Sequence, residues 1–422
     1  AAYDPDDPTD NAAPEIAYTY DNLNRLLTQT VTEYDANGQV VGTPQTWTVF
    51  YDNESRIERL ESPQGIVNYD YNLITGRKWR LWTGDTLAAA GNIVEYTYDN
   101  LGRLTAVTVK KRNGLAVDES TSYTYNKLGS LESTKYPNGN YTYHWYNALD
   151  WLVKLTNFAQ YESDPDDPTG MVLSSFEYSY YADGMRASVT ETLNGSTQTT
   201  NWQYDNMNRL IEEDFGGGTV NRYVYDLVGN RLAINDSQDQ AVVSYSYNSV
   251  DQLQTEDHAN SGATDHSYSY DNNGSLTRRY HTLDWSGSYD EYGYNLQKRM
   301  TSFTPSGGSI ITYTYNPDGI RVSKNNSVTA ESYLIDPYNP TGYAQVLVAD
   351  DGTNQTFYPQ GLDVMGQAVN TGNAVYMLCD GHGSVRQLAD TNGNLISGQQ
   401  FDYDAYGVRL DTATAQTKLL YT

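Results

Sequence analysis

The stretch Tyr96-Thr97-Tyr98-Asp99-Asn100-Leu101-Gly102-Arg103-Leu104 decides the fold of this chain, because its pattern recurs along almost the whole sequence. Tyr-x-Tyr followed by Asp or Asn occurs nine times, opening at Tyr18, Tyr69, Tyr96, Tyr123, Tyr223, Tyr245, Tyr268, Tyr292 and Tyr313. Random order of this composition would give roughly 0.65 occurrences. Degenerate copies raise the number to fourteen; they lie at residues 49–52, 144–147, 178–181, 202–205 and 401–404. The sequence therefore predicts a tandem repeat.

Each copy is typical of one arm of a β-hairpin. Tyr96 and Tyr98 share one face, because side chains alternate along a strand. Asp99 ends the strand, since its carboxylate can accept backbone N–H groups two residues on, and Gly102 supplies the positive φ that closes the turn.

The rest of the copy starts the next strand. Leu104 resumes the alternation, and Arg103 is placed either to pair with Asp99 or to lie over a tyrosine ring. The structural positions predicted from three copies are Tyr96, Tyr98, Asp99, Gly102, Arg103, Leu104, Tyr223, Tyr225, Asp226, Gly229, Tyr268, Tyr270, Asp271 and Gly274. Turns of the type Asp-x-x-Gly at residues 35–38 and 390–393 are expected to close other hairpin ends.

The predicted fold class is all-β: a long, curved, spiralling antiparallel sheet of tandem hairpins. Fourteen hairpins supply roughly 28 strands, which extend about 130 Å at about 4.8 Å per strand. A sheet of that length must curl, and a ring made by one turn of it would have a diameter of about 42 Å. We expect an open sheet of about one turn, with tyrosine rows on its inner face and acidic, Ser- and Thr-rich residues outside. A short turn near residues 412–418 is the one expected helical feature.

The composition argues against several classes of partner and site. The formal net charge of −27 on 422 residues disfavours nucleic acid and anionic membrane surfaces as partners. No apolar run is long enough to insert into a membrane. The single cysteine, Cys379, excludes an internal disulfide framework, and with five histidines there is little basis for a metal centre. We expect no cofactor.

The residues at 380–384, Asp-Gly-His-Gly-Ser, place the three groups of a catalytic triad close together in sequence. A triad needs those groups to converge in space beside an oxyanion hole, which sequence neighbours separated by glycine seldom do. We interpret the stretch as a glycine-rich turn and expect no enzymatic activity, catalytic residue or metal ligand.

Two other features allow a binding function. The acidic loops at residues 4–9 and 164–169 offer carboxylates to Ca²⁺ but lack the glycine and closing glutamate of a calcium loop, which favours solvated insertions. Aromatic side chains could stack on sugars or form cross-strand ladders within the sheet, and we favour ladders; they include Trp79, Trp82, Trp145 and Trp151. Seven Asn-x-Ser/Thr sequons are expected from an Asn-, Ser- and Thr-rich chain; they lie at Asn53, Asn140, Asn194, Asn235, Asn273, Asn325 and Asn354.

The repeat Tyr-x-Tyr-Asp-x-x-Gly-Arg-Leu resembles the YD repeat of rearrangement-hotspot (Rhs) proteins, of the C components of insecticidal toxin complexes and of teneurins. From residue 333 the chain is similar to the stretch that leads into the Rhs-associated core, on the motifs at residues 333–336, 339–346, 361–363 and 380–388. The resemblance implies hairpins that spiral into a hollow shell around a C-terminal toxin. It divides the chain into a repeat array, 1–330, and a segment leading into the core, 331–422, which stops before the core and its self-cleavage site.

The resemblance implies a non-enzymatic scaffold: a shell segment of a bacterial secreted or cell-surface protein that encloses or presents a toxin or other cargo absent from this chain. The alternative is an adhesion or glycan-binding surface module that assembles edge to edge into filaments. Expected partners are further repeats of the same polypeptide, other copies of the chain, an enclosed toxin domain, or a surface glycan.

Overall fold

The computed structural model describes residues 14–34, 39–161, 166, 170–259 and 265–421. In these residues it contains 33 β-strands and one 3₁₀ helix, Leu87–Ala89. The strands are β1 Glu15–Tyr20, β2 Leu26–Tyr34, β3 Val40–Tyr51, β4 Ile57–Ser62, β5 Gly65–Tyr71, β6 Lys78–Thr83, β7 Ile93–Tyr98, β8 Leu104–Arg112, β9 Leu115–Tyr125, β10 Leu131–Lys135, β11 Tyr141–Tyr146, β12 Leu152–Phe158, β13 Val172–Tyr180, β14 Arg186–Leu193, β15 Ser196–Tyr204, β16 Leu210–Asp214, β17 Val220–Tyr225, β18 Arg231–Asn235, β19 Ala241–Tyr247, β20 Leu253–Asp257, β21 His266–Tyr270, β22 Leu276–Tyr280, β23 Tyr289–Tyr294, β24 Met300–Thr304, β25 Ile311–Tyr315, β26 Arg321–Asn326, β27 Ala330–Asp336, β28 Gln345–Asp350, β29 Gln355–Phe357, β30 Gly366–Val369, β31 Ala374–Cys379, β32 Val385–Ala389 and β33 Leu395–Gln400.

The strands form one sheet in which each strand pairs antiparallel with the next in sequence, from β1 to β33. The all-β fold and the hairpin meander are confirmed. The strand number exceeds the expected 28 because thirteen copies of the repeat form β1 to β26, and seven further strands, β27 to β33, lie where the repeat pattern predicts none.

A bulge recurs where the tyrosine strand of a hairpin ends. In the hairpin β7–β8 the register shifts between Thr97 and Tyr98. The same shift lies between Val224 and Tyr225 and between Ser269 and Tyr270. A bulge bends its strand and increases the local twist, so its repetition at one side of the sheet produces curvature.

The curvature brings the end of the sheet back onto its beginning. β27 lies beside β5, and the Leu334 side chain packs against Gly65. From there the chain passes inward, so that residues 331–421, which we call the inner segment, lie on the tyrosine face of the strands from β5 to β17. The largest apolar core sits at this contact and includes Tyr69, Tyr96 and Phe357. The sheet is a spiral that does not close on itself.

The helical turn expected near residues 412–418 is wrong, because this stretch is irregular and forms neither helix nor strand. Its backbone is bonded by side chains of the inner strands: Gln399 accepts a hydrogen bond from the Gln416 N–H at 2.7 Å and donates to the Thr414 carbonyl at 2.9 Å. Gln367 donates to the Gln416 carbonyl. These bonds replace the ones a helical turn would make.

Several expectations concern parts of the chain outside the described residues. The turn at 35–38, the acidic loop at 4–9 and, apart from Asp166, the loop at 164–169 belong to this group. The proposed boundary between residues 330 and 331 falls inside β27 and stays a prediction. In the described ranges, no helix is long and apolar enough to cross a bilayer.

Candidate functional site on the tyrosine face

The turn of the repeat is held by one carboxylate. Asp99 Oδ1 accepts hydrogen bonds from the backbone N–H groups of Leu101 and Arg103, each at 2.9 Å, and its Oδ2 accepts one from Arg103 Nε at 2.7 Å. Gly102 has φ +88°. In the equivalent turn at Asp205, the backbone hydrogen bond from Arg209 holds the pKa of the carboxyl below its usual value.

The same arginine joins consecutive repeats. The Arg103 guanidinium lies 4.6 Å from the centre of the Tyr125 ring, which belongs to the next repeat, while the Tyr125 hydroxyl donates to the Leu104 carbonyl at 2.7 Å. We call this arrangement, an arginine on a tyrosine whose hydroxyl binds the preceding repeat's backbone, the clamp. Arginines also cover Tyr51, Tyr71, Tyr225 and Tyr315.

The hydroxyl contact of the clamp is more widespread than the arginine. The second tyrosine of a copy donates to the carbonyl that follows the preceding turn in the pairs Tyr71–Ile57, Tyr146–Leu131, Tyr225–Leu210, Tyr247–Arg231, Tyr270–Leu253 and Tyr315–Met300. The bulge disturbs the backbone ladder at this point, and the hydroxyl satisfies the carbonyl there. The Arg103 guanidinium makes both contacts that the sequence allows, one with Asp99 and one with a tyrosine ring. The bond from the tyrosine hydroxyl to the carbonyl does not follow from the repeat pattern.

The copy at Tyr223 keeps the turn but replaces the arginine. The Asp226 carboxylate accepts hydrogen bonds from the N–H groups of Val228, Gly229 and Asn230 at 2.7–3.0 Å. Gly229 has φ +104°. The Asn230 side chain, standing where other copies have arginine, donates to Asp226 Oδ2 at 2.9 Å. The carboxylate thus organises the turn without a cation.

The copy at Tyr268 has the same turn with serine at that position. Asp271 Oδ1 accepts hydrogen bonds from the N–H groups of Asn273 and Ser275, and Gly274 has φ +83°. The Tyr268 hydroxyl donates to Glu256 at 2.6 Å. Burial, together with this carboxylate, raises the pKa of Tyr268.

A buried acid fixes the inner segment to β5. Asp336 is fully buried, and its Oδ1 accepts hydrogen bonds from the Tyr69 hydroxyl at 2.6 Å and from the Tyr338 N–H at 2.9 Å. Lys78 Nζ lies 4.0 Å from Asp336 Oδ2, between the rings of Tyr69 and Tyr96. Burial lowers the pKa of Lys78 and raises that of Tyr69.

A second ionic contact fixes the inner segment to β14. Arg386, whose side chain is 5% exposed, donates to both carboxylate oxygens of Glu191 at 2.6 and 2.8 Å. It also donates to Asp402 at 2.9 Å and lies over the Phe176 ring. Because carboxylates of both Glu191 and Asp402 accept its hydrogen bonds, the Arg386 guanidinium is buried without an unpaired charge.

Asparagine side chains of β12 and of the turns that follow β8 and β10 bind the backbone of the inner segment. Asn113 donates to the Asn370 carbonyl at 2.7 Å, and three further contacts of this type are Asn138 to Asp390, Asn140 to Gly393 and Asn157 to Cys379. Their partners are more than 200 residues away in sequence, so no local pattern could reveal them. The tyrosine face therefore already binds a polypeptide, partly through backbone groups.

A cavity of about 530 Å³ lies between β13–β16 and the inner segment, and it contains the Asp-Gly-His-Gly-Ser stretch. Asp380 Oδ1 accepts hydrogen bonds from the backbone N–H groups of His382 and Ser384, at 2.9 and 3.2 Å, and Oδ2 lies 3.4 Å from Arg386. The His382 ring packs against Tyr421. The Asp380 carboxylate therefore binds the backbone of its own turn and lies beside Arg386, which agrees with the interpretation of residues 380–384 as a glycine-rich turn. The described residues hold no group of three or more potential ligands suited to a metal ion.

The Teneurin YD-shell family model matches residues 170–419, which is more than half of the chain. The chain belongs to the Teneurin YD-shell family. The matched residues of this YD-shell chain contain tyrosine–aspartate hairpins and, after them, most of the inner segment.

Two curated relatives match part of this YD-shell chain. The tRNA3(Ser)-specific nuclease WapA of Bacillus spizizenii is 28% identical over 213 residues, and the tRNA nuclease WapA of Bacillus subtilis is 27% identical over 213 residues. Each match covers 48% of this chain and 8% of the relative. The chain therefore spans under a tenth of the length of these relatives.

Two solved structures of TcdB2-TccC3 match most of the chain at low identity. A crystal structure of TcdB2-TccC3-TEV matches 93% of this chain and 25% of its own, with 16% identity and a TM-score of 0.46. A crystal structure of TcdB2-TccC3 matches 94% and 27%, with 15% identity and a TM-score of 0.39.

Proposed function

We propose that this chain is a non-enzymatic shell segment of a bacterial secreted or cell-surface protein, whose tyrosine face encloses or presents another polypeptide. The observation that carries the proposal is the inner segment, which lies on that face through buried ionic contacts and asparagine-to-backbone hydrogen bonds. A face that accommodates some ninety residues of its own chain has the chemistry to accommodate a cargo.

The strands from β19 to β24 offer room for that cargo. Their first tyrosines, Tyr245, Tyr268 and Tyr292, are only half-buried, whereas Tyr69 and Tyr96, beneath the inner segment, are 2% and 4% exposed. The relatives named as tRNA nucleases match this chain over 8% of their length. In this proposal the toxic activity of such a protein resides outside the shell region.

The test uses the complete chain with an unstructured reporter peptide fused after Thr422, because Tyr421 lies against the cavity beside His382 and Tyr403. Trypsin should cut this reporter about tenfold more slowly than the same reporter fused before Ala1, since cleavage inside the spiral needs local opening. The Arg386→Ala variant, which loosens the inner segment, should remove the protection. Equal cleavage of the two fusions would contradict enclosure.

A second candidate, glycan binding, is favoured by one feature of the opposite face. Tyr143 and Trp145 of β11 point away from Leu155 and Asn157, and their ring centres are 4.6 Å apart. Trp145 Nε1 donates to Asp166. Such a pair suits stacking on a sugar. A glycan array probed with the chain should show a signal that Trp145→Ala abolishes; the absence of any signal would remove this candidate.

A further inference from the structure

One carboxylate oxygen at the contact between the inner segment and β5 lacks a hydrogen bond. Asp336 is fully buried, and its Oδ1 accepts two hydrogen bonds, from the Tyr69 hydroxyl and from the Tyr338 N–H. No described residue donates a hydrogen bond to its Oδ2. A buried carboxylate oxygen in this state costs free energy, so its presence in a folded chain requires an explanation.

The cation beside this oxygen is Lys78, and the two groups do not form a close ion pair. Lys78 Nζ lies 4.0 Å from Asp336 Oδ2, whereas charge-assisted hydrogen bonds are about 2.7–2.9 Å long. The amine donates to the Tyr338 carbonyl and lies 5.1 and 5.0 Å from the ring centres of Tyr69 and Tyr96. Burial lowers the pKa of Lys78. The site thus favours the neutral amine, which is the nucleophilic form of lysine.

We propose that Lys78 and Asp336 condense to an isopeptide bond, which fixes the inner segment covalently to β6. The ammonium gives a proton to Oδ2, and the resulting amine attacks Cγ. The Nζ–Cγ bond forms while negative charge moves to Oδ1. A second amine proton then moves to Oδ2, the Cγ–Oδ2 bond breaks and one water leaves, so that no other reactant is consumed. The bond does not depend on the proposed function, because it requires only the contact between the inner segment and the strands beneath it.

The site holds the groups that this reaction needs. The Tyr69 hydroxyl, at 2.6 Å, and the Tyr338 N–H, at 2.9 Å, both donate to Oδ1, where negative charge develops, and so form an oxyanion hole. Two groups held side by side in a folded chain also react as if at very high concentration. The product satisfies the polar atoms: the amide N–H keeps the Tyr338 carbonyl, Oδ1 keeps both donors, and the unpartnered Oδ2 has left as water.

A second lysine–aspartate pair provides an internal control. Lys110 Nζ lies 2.6 Å from Asp118 Oδ1, closer than in the buried pair, but the two side chains are 40% and 75% exposed. The hydrogen bond to Asp118 raises the pKa of Lys110, so this amine stays protonated. We expect no covalent bond at this pair, because proximity without burial leaves both charges stable in water.

Intact-mass spectrometry of the complete chain, unfolded before measurement, tests the inference. We expect a mass lower than that of the sequence by one water. After trypsin digestion we expect a branched peptide that joins residues 78–80 to residues 325–386, because trypsin does not cleave after an acylated lysine. Lys110 and Asp118 should appear only in linear peptides. A full mass, or linear peptides alone at Lys78 and Asp336, would overturn the inference.

Two variants separate this bond from other dehydrations. Lys78→Arg keeps a cation but supplies no amine, so the chain should regain its full mass; a loss of water that persists in this variant would overturn the inference. Tyr69→Phe removes one donor to Oδ1 and should slow the condensation about a hundredfold, so that freshly purified chain keeps its full mass. Tyr71→Phe, which removes a hydroxyl bonded to the Ile57 carbonyl from the same strand, should lose water as wild type does. Equal conversion of the two phenylalanine variants would contradict the oxyanion hole.

Discussion

Arg103 links two repeats through a single guanidinium, which is bonded to Asp99 and lies over Tyr125. Replacing it with alanine removes both contacts, and we expect the free energy of unfolding to fall by about 1–2 kcal/mol, because the side chain is only partly shielded from water. Urea unfolding followed by tryptophan fluorescence measures the loss. The exposed Lys127→Ala in the next turn serves as control and should change stability by less than about 0.5 kcal/mol; equal losses would show that the clamp is not a stabilising unit.

His144 stands in the first-tyrosine position of a degenerate copy, and burial lowers its pKa to about 4. Above pH 6.5 the imidazole is neutral in both the folded and the unfolded chain. Between pH 6.5 and 4 the unfolded chain binds a proton that the folded chain excludes, so stability falls as the pH falls, by about 3 kcal/mol.

The measurement is thermal unfolding of wild type and His144→Gln between pH 7.5 and 4. The variant should lose less stability on acidification than wild type, since it has no imidazole at that position. His382→Gln, at an exposed histidine, is the control and should follow wild type. Parallel curves for wild type and His144→Gln would show that this residue does not exclude a proton.

At the scale of the hairpin, the turn glycine is the sensitive position. Gly229 has φ +104°, and no atom lies within 4 Å of the Cβ that a substitution would add. The cost of Gly229→Val is therefore backbone strain, on the order of 1–3 kcal/mol. Val224→Thr, at a 40% exposed position of β17, should be tolerated. Urea unfolding and limited proteolysis of both variants test this; equal stability would contradict the turn.

The local sequence pattern predicts that a residue lies on a strand but not how deeply its side chain is buried. The alternation of the repeat predicts that Val107 is a strand residue in which threonine would be tolerated. In the structure Val107 is fully buried in the core under the inner segment, so threonine there would bury a hydroxyl and carry its own cost. Hairpin, turn and strand follow from local pattern, but the burial of one strand face depends on what covers it.

At the scale of the whole molecule, Arg386 holds the inner segment on the face of the outer strands. Arg386→Ala removes a buried guanidinium and leaves the half-buried Glu191 without its partner. We expect a loss of about 2–3 kcal/mol together with faster hydrogen exchange in residues 385–401. Arg409→Ala removes an arginine paired locally with Asp411 and should cost about 1 kcal/mol. If the two variants behave alike, the inner segment is not fixed by this contact.

The spiral itself was predictable in outline, since a meander of this length must curl. The position of the inner segment was not. Tyr69 and Asp336 are hydrogen-bonded although 267 residues of sequence separate them. The local sequence around either residue does not predict the contact. The wrongly predicted helical turn has a related origin, because the glutamines that bind the backbone of residues 412–418 lie on β30 and β33, 49 and 17 residues away from Gln416.

Because each strand of the described residues pairs only with its neighbours in sequence, the sheet can come apart in the order in which it is connected. Tension applied at Glu15 reaches the β1–β2 ladder first, and its hydrogen bonds break one pair at a time before β3 carries load. The clamps between repeats set the force of each step, while the Asp336 contact adds resistance when the opening reaches β5 and the Arg386 contact when it reaches β14. Pulled from this end, the sheet opens one strand at a time, with added resistance at the two strands to which the inner segment is held.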